Sequence, residues 1–141
     1  MGGKLNLYRF FIVKVIQLTK STGRFGLIVP SSLLGDKSCS VTRKFLLSIT
    51  NNLEFDCFPQ KDNPAKRIFE DARLSTTIFF GEKANLIKEP KQKFIIRTYP
   101  ENKLEDLHKT CAIQVKDLKA IDPESLPIPL IDNVDWEYAI V

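Results

Sequence analysis

The stretch RFGLIVP, residues 24–30, is almost continuously apolar and is closed by a proline. Strict alternation would mark a strand with one wet face. An unbroken apolar run of this length marks a strand expected to be buried on both faces of a parallel sheet. Such a sheet needs helices around it, and the flanking segments supply them. Upstream, LNLYRFFIVKVIQLTKSTG places Leu7, Phe10, Phe11, Lys14 and Leu18 at helical spacing, with Val15 and Ile16 widening the apolar face and Gly23 as a stop. That spacing predicts a helix from about Asn6 to Lys20. Downstream, SVTRKFLLSIT sets Val41, Phe45, Leu46 and Ile49 at helical spacing, and Asp36 or Ser38 is suited to cap its start.

Two further strands follow. LEFDCF alternates apolar with polar, and RLSTTIFF is rich in β-branched and aromatic residues. Between them QKDNPAKRIFEDA is polar and broken by Pro64. The order helix, strand, helix, strand, loop, strand reads as the second half of a doubly wound α/β sheet whose last two strands form an antiparallel hairpin. Beyond Gly81, KFIIRTY is a strand candidate, ENKLEDLHKT a short charged helix and CAIQV a further strand, together a small α+β extension. The ending IPLIDNVDWEYAIV carries a cap signal at Asp132 or Asn133 and a helical pattern through Trp136 and Ile140.

With 141 residues, 43% hydrophobic and 27% charged, the chain suits one soluble domain able to bury a core. Its net charge of +4 favours a polyanionic partner only weakly, because the basic residues are spread out and form no dense tract. Cys39, Cys57 and Cys111 are odd in number, far apart and form no CxxC pair, and His108 is the only histidine. A reduced, cytoplasmic setting is expected, with no zinc site or disulfide frame. No run approaches the roughly 20 apolar residues of a membrane span.

Three blocks in this order resemble the gamma-class N6-adenine DNA methyltransferases of bacterial restriction-modification systems, especially type II enzymes that fuse endonuclease and methyltransferase. GKLNLYRFFIVKVIQLTKSTGRFGLIVPSSLL is similar to the family's fifth and sixth motifs, and IFEDARLSTTIFF to its eighth. LPIPLIDNVDWE is similar to the link before a target-recognition domain. The resemblance implies a Rossmann-like catalytic domain that moves a methyl group from S-adenosylmethionine to the amino nitrogen of adenine in double-stranded DNA. It divides the chain into 1–88, the C-terminal half of that domain, 89–126, the extension, and 127–141, the start of a link to a missing target-recognition domain.

By the same matching, Phe69 corresponds to the ring that stacks on the extruded target adenine. Phe11 corresponds to the aromatic packed on the cofactor's adenine. Asn6, Tyr8, Pro30 and Ser31 are placed around the cleft, with Ser32 beside them, and Arg73 near a DNA phosphate. A flipped base needs a flat apolar surface to replace lost stacking, which a loop phenylalanine provides. Each of these residues also has a plainer reading: Phe69 as a plug on the core, Phe11 as part of an apolar helix face, and Asn6 as an N-cap. Phe58, in FPQK, is a competing candidate for the stacking ring, but it runs into polar DNPAK, whereas Phe69 leads into a clear strand.

Two features of a complete methyltransferase are not in these 141 residues. Gly2, Gly3, Gly23, Gly26, Gly35 and Gly81 make no GxGxxG turn, and no two prolines are adjacent, so the Asn/Asp-Pro-Pro-aromatic motif is absent. No catalytic residue is therefore assigned. The chain is expected to be a piece of a larger enzyme, inactive alone and without tight S-adenosylmethionine binding, complemented by a missing N-terminal half. Self-association through an exposed sheet edge is expected of it. The alternatives are a non-enzymatic nucleic-acid-binding or complementing remnant, and half of an RNA or protein methyltransferase.

Overall fold

The computed structural model describes residues 6–85, 93–107 and 109–141. Helix α1, Leu7–Leu18, follows the predicted spacing and buries Ile12 and Ile16. Asn6 occupies the N-cap position in an extended conformation, but its side chain makes no capping bond. Strand β1, Arg24–Pro30, leads into the single-turn helix α2, Ser32–Gly35, a 3-10 turn at Lys37–Cys39 and helix α3, Ser40–Ile49. The Asp36 carboxylate accepts from the Ser38 N–H at 2.9 Å, so this predicted cap serves the 3-10 turn and not α3 itself.

Strands β2, Thr50–Phe58, and β3, Thr76–Lys83, form the predicted antiparallel hairpin around a long loop. Strand β4, Lys93–Thr98, runs parallel to β2, and β5, Lys109–Gln114, runs antiparallel to β4. The sheet order is β1-β3-β2-β4-β5, with β3 antiparallel to both neighbours. Helices α4, Val115–Ile121, and α5, Asn133–Ala139, complete the chain. Asp132 caps α5 by accepting from the Asp135 N–H at 2.9 Å, as predicted.

One core serves all of these elements. Phe25, Phe79, Phe55 and Phe94 form a row across the sheet with successive ring centroids 6.3, 6.0 and 5.6 Å apart. Ile12, Ile16, Leu46 and Leu47 pack on it from the early helices, Val115, Leu118 and Trp136 from the later ones, and Leu126 from the segment between α4 and α5. Residues on both sides of positions 88 and 126 thus share a single apolar cluster.

Three expectations are corrected. Strand β1 is not buried on both faces: Phe25 and Val29 face the core, while Gly26 and Ile28 are exposed, and β3 is its only strand neighbour among the described residues. An unbroken apolar run does not reveal which layers cover a strand. The charged segment ENKLEDLHKT forms only a 3-10 turn at Leu104–Asp106, because Leu104 and Leu107 remain exposed and give a helix no buried face; His108 lies outside the described residues. In α3 the core face is rotated from the predicted one, with Val41 in solvent and Arg43 fully buried.

Arg43 is held by carbonyl oxygens alone. Its Nη1 donates to Leu33 at 2.9 Å and Asp36 at 2.6 Å, its Nη2 to Ser125 at 2.6 Å, and its Nε to Ser125 at 3.1 Å and Leu126 at 3.2 Å. Burial pushes its pKa below the ordinary value, opposed by the nearby Cys39 and Asp36. The guanidinium thereby ties α2 and α3 to the segment that follows α4. That segment is held twice more: the Ile128 N–H donates to Leu34 at 2.8 Å, and Asp122 accepts from the Ser125 hydroxyl. Leu126 sits at φ 45°, a left-handed conformation costly for a branched side chain, and its burial and these bonds keep it there.

Candidate nucleic-acid and cofactor edge

Because β1, β2 and β4 share one direction, their carboxyl ends lie along one edge of the sheet, the edge where open α/β sheets gather ligands. Pro30 and Ser31 close β1 there. The Ser31 N–H donates to the Ser75 carbonyl at 2.9 Å, and the Ser31 and Thr77 hydroxyls are 2.8 Å apart. Helix α1 runs back along β1, so its first turn meets the same edge: the Tyr8 hydroxyl lies 2.8 Å from that of Ser32 and 3.2 Å from the Cys39 sulfur. Burial, reinforced by the hydrogen bond with Cys39, raises the Tyr8 pKa, which keeps the phenol neutral and able to donate. Tyr8, Pro30, Ser31 and Ser32 are therefore brought together.

The loop between β2 and β3 hangs from this edge and is stapled internally. Ser75 donates to the Pro59 carbonyl at 2.8 Å, closing its base. Arg67 donates through Nε to the Lys61 carbonyl at 2.6 Å and through Nη1 to that of Glu70 at 2.9 Å. Asn63 caps the turn Pro64–Lys66, and Lys66 pairs with Glu101. These bonds hold the backbone on either side of Phe69, whose own carbonyl accepts from the Ala72 N–H at 3.1 Å.

Phe69 is 49% exposed, whereas its competitor Phe58 is 3% exposed and stacks on Tyr99 with centroids 5.1 Å apart. Phe58 is the plug and Phe69 the ring left open. Beneath the loop, the Thr76 hydroxyl is buried and makes no hydrogen bond among the described residues. Arg73 is already engaged: its Nη2 and Nε donate to Asp62 at 2.6 and 3.1 Å, both side chains being largely in solvent. That bond holds the Asp62 carboxyl below the usual range.

Phe11 departs from the plain core reading. It is 62% exposed and, with Leu7, Phe10, Val13, Lys14 and Gln17, lines an open groove of about 560 Å³ on the outer side of α1. The structure does not bring it against Phe69. Asn6 is exposed at the head of the same helix. Sequence reasoning passed over Thr76, Asp62 and Tyr99, none of which has a local pattern that could mark it. The three cysteines are all buried, and burial raises the Cys57 pKa to about 12 and that of Cys111 to about 11. Among the described residues, no cluster of His, Cys, Asp and Glu is arranged as a metal site, and no helix is long and apolar enough to cross a membrane.

The sheet thus has a β1-β3-β2 order with β3 reversed and carries a hydrogen-bonded aromatic loop at its carboxyl edge. Residues 1–69 match the family model of the Eco57I restriction-modification methylase. The match takes in α1 and β1 and ends on Phe69. Solved structures of restriction-modification enzymes share the fold. The type IIG restriction endonuclease BpuSI superposes with a TM-score of 0.60 at 11% identity, over 85% of this chain and 15% of that one. A chain of a type I restriction-modification system gives 0.61 at 13% identity, over 86% and 31%. The M protein of the type I restriction enzyme EcoKI gives 0.55 at 16% identity, over 72% and 22%. The chain therefore spans less than a third of each of these structures.

Proposed function

We propose that this chain is the C-terminal part of the catalytic domain of a restriction-modification DNA methyltransferase that modifies the amino nitrogen of adenine. In this reading Phe69 stacks on the extruded base and Phe11 contributes to the S-adenosylmethionine pocket. The observation that carries it is the contrast between two aromatics: Phe58, at the end of β2, is consumed by packing, and Phe69, in the loop, is left half exposed on a backbone stapled from both sides. The family match, which includes both Phe11 and Phe69, supports the assignment.

When bound, S-adenosylmethionine would supply the methyl group, its S–C bond breaking to leave S-adenosylhomocysteine as the N–C bond forms, and the amino proton would pass to solvent. These residues do not supply the groups that orient that nitrogen. Their part is to bind and position. Phe69 replaces the stacking lost on base extrusion, worth about 1 to 3 kcal/mol by comparison with single-strand binding. Tyr8, Pro30, Ser31 and the Thr76 hydroxyl, which has no hydrogen-bond partner among the described residues, shape the wall behind it. Arg73 meets the DNA backbone by exchanging the exposed Asp62 carboxylate for a phosphate. The glycine-rich turn, the Asn/Asp-Pro-Pro-aromatic motif and the reading of DNA sequence come from a complementary N-terminal half and a target-recognition domain. The cytoplasm is the setting this activity requires.

The test is a methyl-transfer assay on DNA with labelled S-adenosylmethionine, using this chain alone and mixed with a polypeptide carrying the N-terminal motifs. Transfer is expected only in the mixture, and Phe69→Ala is expected to lower it about tenfold or more, in line with the lost stacking energy. Transfer by the 141 residues alone, or a mixture indifferent to Phe69→Ala, refutes the proposal.

A further inference from the structure

Five hydroxyl side chains gather where β1 and β3 meet at the carboxyl edge, and four of them are met. Ser31 and Thr77 bond to each other, Ser32 to Tyr8, and Ser75 to the Pro59 carbonyl. The fifth, Thr76, is 1% exposed, and its hydroxyl has no hydrogen-bond partner among the described residues. Strand register explains why. Thr76 pairs with Pro30 on one side and Phe58 on the other. The proline has no N–H, and the phenylalanine ring, stacked on Tyr99, has no polar atom to offer. A buried hydroxyl left unmet destabilises the fold, and a valine would fill the same space without that cost.

We propose that Thr76 contacts the substrate: when the β2–β3 loop lifts, its hydroxyl donates to a ring nitrogen of the extruded adenine. This rests on the methyltransferase reading above and adds to it one contact and one loop movement. The chemistry fits a donor. The lone pair of the amino nitrogen must stay free for the incoming methyl group, whereas the ring nitrogens only accept. N3 and N7 do so at the groove edges, and N1 does so once extrusion has removed its pairing partner. Phe69 then holds the face of the base and Thr76 one edge of it.

The loop is jointed for this. Arg67 binds the carbonyls of Lys61 and Glu70, so residues 61–70 move as one body. Asp62 ties that body to Arg73, a short step ahead of Thr76 in the chain, and the two side chains are 68% and 71% exposed. Its other side-chain tie outward is the surface pair of Lys66 with Glu101. A DNA phosphate that takes Arg73 from Asp62 therefore releases the body beside Thr76. Arrival of the DNA backbone and uncovering of the hydroxyl become one movement, and the donor meets the base in a site that water has not entered.

The test uses the complemented mixture described above and a duplex carrying the site that it methylates. Thr76→Val is expected to lower kcat/KM about tenfold, the effect of one lost buried hydrogen bond, with a urea midpoint no lower than wild type. Thr76→Ser, which keeps the hydroxyl, is expected to retain transfer. Replacing the target base by its 1-, 3- and 7-deaza analogues identifies the acceptor: for one of them, wild type discriminates about tenfold more strongly than Thr76→Val does. Thr76→Val transferring like wild type, a loss of transfer accompanied by a lower urea midpoint, or equal discrimination by both proteins for all three analogues overturns the proposal and leaves the methyltransferase reading standing. A wild-type mixture that transfers no methyl group refutes that reading, and the Thr76 contact with it.

Discussion

Replacing Arg43 is expected to be the most damaging single change outside the aromatic row. The side chain is fully buried, and its donors serve the carbonyls of Leu33, Asp36, Ser125 and Leu126. The Asp36 carbonyl keeps a second donor, the Cys39 N–H at 3.0 Å, so it is not orphaned by the change. Those of Leu33, Ser125 and Leu126 lose their side-chain donor, at about 1 to 3 kcal/mol for each group left unsatisfied. Arg43→Met, which keeps much of the volume, should therefore destabilise by about 3 kcal/mol, and Arg43→Ala by about 4 or more, since it adds a cavity. Exchanging a whole buried ionic network for apolar groups can be neutral. Here it cannot be, because the acceptors are backbone and remain. Urea denaturation of both variants gives the totals. Hydrogen exchange at the Ile128 amide, which is bonded to Leu34, reports whether the loss is concentrated in the segment after α4. An Arg43→Met protein as stable as wild type, with Ile128 still protected, would refute the reasoning.

Phe58 and Phe69 should part company on stability. Phe58→Ala is expected to cost about 3 to 5 kcal/mol and Phe69→Ala within about 0.5 kcal/mol, measured by thermal or urea unfolding; a large loss at Phe69 would make it a plug. Acid should weaken the fold: hydrogen bonds from Ser38, Arg73 and Ser125 lower the pKa of Asp36, Asp62 and Asp122 respectively. Carboxyls depressed in the folded state give their full stabilisation above the unfolded value near 4 and lose it as pH falls through the folded values. The urea midpoint should be flat from neutrality to about pH 5 and then decline, and a midpoint that rises on acidification would contradict the assignment.

The helix at 7–18, the hairpin of β2 and β3 and the cap at Asp132 were all legible, because periodicity, β-branching and capping chemistry act within a few residues. What covers β1 was not, since an apolar run reads alike in a strand buried on both faces and in one, like β1, whose second face is exposed. Arg43 was passed over for a related reason. In a periodicity count it reads as a solvated charge on α3, and its acceptors at Ser125 and Leu126 lie more than eighty residues away. At the carboxyl edge, sequence pattern separated Phe69 from Phe58, and the geometry separates them again by burial. The bond from Arg73 to Asp62 and the open hydroxyl of Thr76 depend on how the loop closes, which no local pattern records.

The Arg43 bonds also impose an order on synthesis. During translation α3 emerges long before residues 125 and 126, and until they arrive its guanidinium has only the α2 carbonyls and water as partners. The early helices and β1–β3 can collapse around their aromatic row, but this corner of the core must stay hydrated. Long-range closures of this kind are slow relative to local ones. The nascent chain therefore passes through a state with a wet cation where the finished protein is dry, and the arrival of Ser125 and Leu126 is the event that seals it.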